Sequence, residues 1–124
     1  MIARSFFLLA TLFLVFGLCL GIYMGASGDH RLATVHAHTN LLGFVLMMLF
    51  GLVYHAVPRM ADSRLASAHL WLHFIGALGL LLMLALYMLD RISADTMPLS
   101  APFQIAILLG ALVFLTNLWR HYRV

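Results

Sequence analysis

Long apolar runs separated by short polar turns dominate the chain. Four runs have the length of about 20 residues that a bilayer-crossing helix needs: Phe6–Met24, Leu32–Val57, Ala66–Leu89 and Ala101–Trp119. Gly25–Arg31 makes the first turn. Pro58 stops the second run, because proline disfavours helical geometry at the residue before it. The stretch 59–65 is short, polar and basic, and Ser67 offers a cap for the third helix. Asp95 to Pro102, with Pro98 inside it, reads as an irregular loop. Short connections between helices predict an up-down antiparallel bundle. Residues 1–124 therefore read as a single four-helix transmembrane domain of the all-α integral membrane class.

Composition strengthens this reading. The chain is 65% hydrophobic and 9% charged, where an ordinary soluble domain carries about 25% charge. Too little polar side chain is present to cover a water-exposed surface. The formal net charge of +3 gives no reason to expect nucleic acid as a partner; the lipid bilayer is the expected one. In a four-span arrangement Arg4, Arg59, Arg64, Arg120 and Arg123 fall on one side, and only Arg31 and Arg91 on the other. The positive-inside rule then places both termini in the cytoplasm, in a membrane of the bacterial inner-membrane type. The first run is longer than a usual signal-peptide core and is expected to remain as a span. Its Gly17, Gly21 and Gly25 form a small-residue series suited to close helix packing.

Seven histidines are many for so apolar a chain, and ionisable groups inside a membrane are costly and tend to be functional. His36 and His38 stand two apart at the start of the second run. On an α-helix such residues diverge by about 200°, so their rings do not readily converge on one metal and instead address two neighbours. Asn40 shares the stripe of His36. Gly43, one repeat further on, has no side chain and would let a flat macrocycle approach the backbone. Arg31 lies just above and suits an anionic substituent of such a group. A second set, His55, His69 and His73, is expected nearer the inner face. His69 and His73 are spaced i, i+4 on one helix face, and with His55 they have the donor chemistry for copper or zinc. Roughly 26 Å of helix rise separates His38 from His55, so the two sets are separate sites. Asn117 and Gln104 read as interhelical hydrogen-bonders.

The run His36-Ala-His38-Thr-Asn-Leu-Leu-Gly43, followed by Gly51-Leu-Val-Tyr54-His-Ala-Val-Pro58-Arg59, resembles a helix of the catalytic subunit of the heme-copper oxidase and nitric oxide reductase superfamily. In the reductases a His-Thr-Asn-Leu-Leu run carries an axial ligand of the low-spin heme, which corresponds to His38. Another helix of those subunits carries a His-x-His pair whose rings ligate two different hemes, as His36 and His38 would. The resemblance covers one helix. Those subunits have about twelve spans in three arcs of four, so this chain resembles one arc, and it lacks the further histidines that hold their second metal.

The resemblance implies a homotrimer, favoured over a dimer, with heme b in each gap between protomers. His36 of one chain and His38 of the next would be the axial ligands, with Asn40, Gly43 and Arg31 around the heme. Bis-histidine ligation suits electron transfer, or heme-based sensing or carriage, more than catalysis. The redox partner is unknown. Two alternatives stand beside this expectation: a copper or zinc transporter or chaperone, and a cofactor-free accessory or assembly subunit of a respiratory oxidase.

Overall fold

The computed structural model describes residues 1–121. It is helical throughout its regular structure, with no strand among the described residues. The elements are α1 (Ile2–Ser27), α2 (Ala33–His38), a π-helical segment (Thr39–Val45), α3 (Leu46–Ala56), α4 (Pro58–Ala61), α5 (Arg64–Met88), a 3₁₀ segment (Ala94–Ser100) and α6 (Ala101–His121). Four helical stretches are long and apolar enough to cross a membrane: Ile2–Ser27, Ala33–Ala56, Arg64–Met88 and Ala94–His121. The second is one continuous rod built from α2, the π segment and α3. Arg123, counted above among the inner-side arginines, lies outside the described residues.

The ends follow from local chemistry. Gly28 closes α1 in the left-handed conformation (φ 70°), and its N–H reaches Met24 O, the usual glycine solution to unpaired terminal carbonyls. Val57, before Pro58, has φ −124° and ψ 80°, as steric exclusion by proline demands. Pro58 then opens α4 at a position where no N–H is needed. The third span starts two residues earlier than expected. Ser63 caps it by accepting from Leu65 N at 3.2 Å, so Ser67 is not the cap. The expected loop at Asp95–Pro102 is largely a 3₁₀ turn that leads straight into α6.

Glycines set the helix spacing. A Cβ on Gly17 would collide with the Asn40 amide, one on Gly21 would press on the His36 ring, and one on Gly51 would meet Phe6 and Phe7. The second rod therefore lies close against α1 along its length. Gly76 and Gly79 do the same for Phe103 and Ile107 of α6. Small residues at such seams raise van der Waals contact where no hydrophobic force drives association. The core holds Phe6, Ala10, Phe13, Val35, Met47, Tyr54, Met60 and Leu81, with Thr39, His69, His73 and Asn117 buried among them. Leucines, Trp71 and Trp119 face outward.

Candidate functional site

His36 sits at the seam between α1 and the second rod and is half-buried. Its Nδ1 is 2.9 Å from Gly17 O of α1. A carbonyl only accepts, so Nδ1 carries the proton and Nε2 holds the lone pair. Asn40 Nδ2 lies 3.3 Å from that Nε2 and also donates to His36 O at 3.0 Å. The stripe expected for His36 and Asn40 is thus formed, and it is seated over Gly17 and Gly21.

His38 turns elsewhere. Its Nδ1–H donates to Thr34 O, one turn back on its own helix, at 2.9 Å. The same reasoning leaves the lone pair on Nε2, which makes no hydrogen bond among the described residues. Both rings therefore hold one tautomer, with Nδ1–H tied to a backbone carbonyl. Histidines that bind metal through Nε2 are oriented in this way. The rings also differ in surroundings, as their spacing requires. The neighbour that meets His36 is the chain's own first helix.

The residues expected around the pair are arranged differently. Gly43 does not leave an open hollow for a macrocycle, because the Phe13 ring of α1 fills the space over it. Arg31 is forked onto Asp29 in the turn above, with Nη2 to Oδ2 at 2.8 Å. That hydrogen-bonded guanidinium holds the Asp29 carboxyl down at about 2 and raises Arg31 itself. His30 is exposed, with Nδ1 on Gly28 O at 2.9 Å.

The second histidine set separates. His55 is exposed, with its ring tilted 59° to that of Phe7 and the ring centres 6.3 Å apart. His69 and His73 are buried in the core on the other side of the rod. His69 Nδ1 pairs with the Tyr54 hydroxyl at 3.0 Å. Phe50, Phe114 and Phe6 surround its ring at centre distances of 4.4, 5.1 and 5.2 Å. His73 Nε2–H donates to Leu42 O at 2.9 Å, which puts it about one helical turn from His38 in depth. The three-histidine site expected of His55, His69 and His73 is therefore not assembled within one chain. Their i, i+4 spacing places His69 and His73 on one face, but α3 carries His55 away from that face. Among the described residues no three His, Cys, Asp or Glu side chains gather as a metal site.

Three features are new relative to the sequence reading: the π segment, the Tyr54–His69 pair, and the burial of Thr39. Asn117 acts as expected of an interhelical hydrogen-bonder, donating to Met60 O at 3.0 Å. Gln104 instead bonds Ser100 on its own approach to α6, at 2.9 Å. No known protein family, characterised protein or solved structure matches the chain.

Proposed function

We propose that the protein is a small membrane b-type cytochrome. One observation carries the reading: His36 and His38 both have Nδ1–H fixed on a backbone carbonyl, at 2.9 Å each. Both therefore offer an Nε2 lone pair, the form in which imidazole ligates heme iron. His38 offers it from a half-buried surface position; His36 would exchange a 3.3 Å contact with Asn40 for the iron. Rings that address different surroundings suit two hemes better than one. The four spans form an up-down antiparallel bundle with both termini cytoplasmic, in a bacterial inner membrane. Copies associate as a homotrimer, so that His38 of one chain and His36 of its neighbour flank one heme b. A heme with two imidazole ligands passes single electrons without an open coordination position. Arg31, paired with Asp29 at the outer end, would be a cation that the heme carboxylates could share.

The test compares heme retention in three variants. His36→Ala and His38→Ala should each lose the low-spin heme spectrum, and His30→Ala, altered in the exposed turn, should keep it. Full low-spin heme in His38→Ala refutes the assignment. A second reading has its own support. His36, His69 and His73 all have protein partners, which is what an accessory subunit using histidines only for packing would show. That reading predicts a colourless protein and a stable His36→Ala, His38→Ala double variant.

A further inference from the structure

The second rod contains a register problem. Val35, Thr39 and Tyr54 are all buried, with exposures of 3%, 0% and 1%. Between them, Leu42 meets His73 through its carbonyl, and Phe50 packs its ring on His69 and His73 at 4.4 and 5.3 Å. These five residues turn toward the interior. From Val35 to Tyr54 is a step of nineteen residues. At about 100° per residue, an unbroken α-helix would overshoot five full turns by roughly 100°. The π segment absorbs the excess. Leu46 N–H bonds Leu41 O, five residues back instead of four, so that the turn holds one additional residue. Such wide turns occur mostly as single insertions in α-helices, often at functional sites.

A wide turn displaces carbonyls from the α hydrogen-bond ladder, and a buried carbonyl needs a donor. His73 supplies one to Leu42 O from α5. We infer that His73 is a positioning residue: its bond to Leu42 O holds the π turn that sets the rotation of the His36–His38 end. If the segment relaxed to α geometry, that end would turn by roughly 100° relative to Tyr54. His36 would leave Gly17 and Gly21, and His38 would face a different side. The heme consequence rests on the function proposed above; the helix-register consequence does not.

The experiment measures amide hydrogen exchange by NMR on the full chain in detergent micelles. In His73→Phe, the amides of residues 43–46 should exchange roughly five- to tenfold faster, the factor that one buried hydrogen bond carries. His73→Gln, which keeps a side-chain N–H donor, should restore most of the protection. Deleting Leu41, an outward-facing residue with 54% exposure, removes the additional residue and lets the rod run as α with both ends in place. In that background His73→Phe should change the exchange rates of this segment little. Unchanged exchange in His73→Phe overturns the inference, and so does an equal increase in both backgrounds. Should His73→Phe fail to fold in the intact chain, folding in the Leu41-deleted chain supports the inference, and failure in both overturns it. As a second readout, the low-spin heme signal should shift in His73→Phe and return in His73→Gln. A wild-type protein without heme refutes the cytochrome reading and leaves the exchange result to decide the role of His73.

Discussion

At the scale of single residues, hydrogen-bond direction says more than position. Gly17 O and Thr34 O can only accept, and this fixes the tautomer of His36 and His38. The sequence shows that the two imidazoles diverge. It does not show that each has its Nδ1 proton occupied, because the acceptors are backbone atoms, one of them on another helix. Arg31 shows the opposite case. Its nearest opposite charge, Asp29, is two residues away, and the ion pair is local. That pair makes a prediction about pH. Asp29 is depressed from 3.8 to about 2 by the guanidinium. The interaction is therefore fully present above pH 3.8 and is lost as pH falls through about 2. A carbon-13 NMR titration of the Asp29 carboxyl should show a midpoint near 2, and Arg31→Gln should return it toward 3.8. A wild-type midpoint near 3.8 would show that the pair does not form.

At the scale of elements, the four apolar runs were legible because a bilayer-length helix needs only a count of apolar residues. Two of the three glycines expected to pack in α1, Gly17 and Gly21, do so, whereas Gly25 has nothing within 4 Å, and the partner was not legible. Gly17 and Gly21 are needed because Asn40 and His36 lie on them. Gly43 reads from the sequence as a hollow for a flat ligand, and this is corrected by the Phe13 ring of α1, which fills the space over it. Gly43→Ala should accordingly strain the seam between α1 and the second rod. The expected loss is about 1–3 kcal/mol, as for other overpacked sites, read by denaturing-detergent titration. Phe13→Leu in the same chain should recover part of it, and no recovery would mean that the clash lies elsewhere. The π segment escaped the sequence reading for a different reason. No proline marks it, Gly43 inside it reads equally well as part of an ordinary helix seam, and its trace is only a slow drift in the buried positions from Val35 to Tyr54. The Tyr54–His69 pair was equally hidden, since the two residues stand fifteen apart in the chain and meet only where α3 and α5 come together.

At the scale of the whole molecule, outward-facing leucines and tryptophans cover the four helices, and Thr39, His69, His73 and Asn117 are buried among them. A bilayer suits such a surface, and so does a second copy. The proposed cytochrome uses both, since each chain brings two half-buried imidazoles with different surroundings and completes its ligand set only beside another chain. Heme and oligomer are then linked, and the content should be one heme b per protomer. The most direct measurement is the dithionite-reduced minus oxidised absorption spectrum of the membrane-extracted protein, with heme quantified by pyridine hemochrome. The account predicts a low-spin b-type spectrum at one heme per chain; a colourless protein would contradict it.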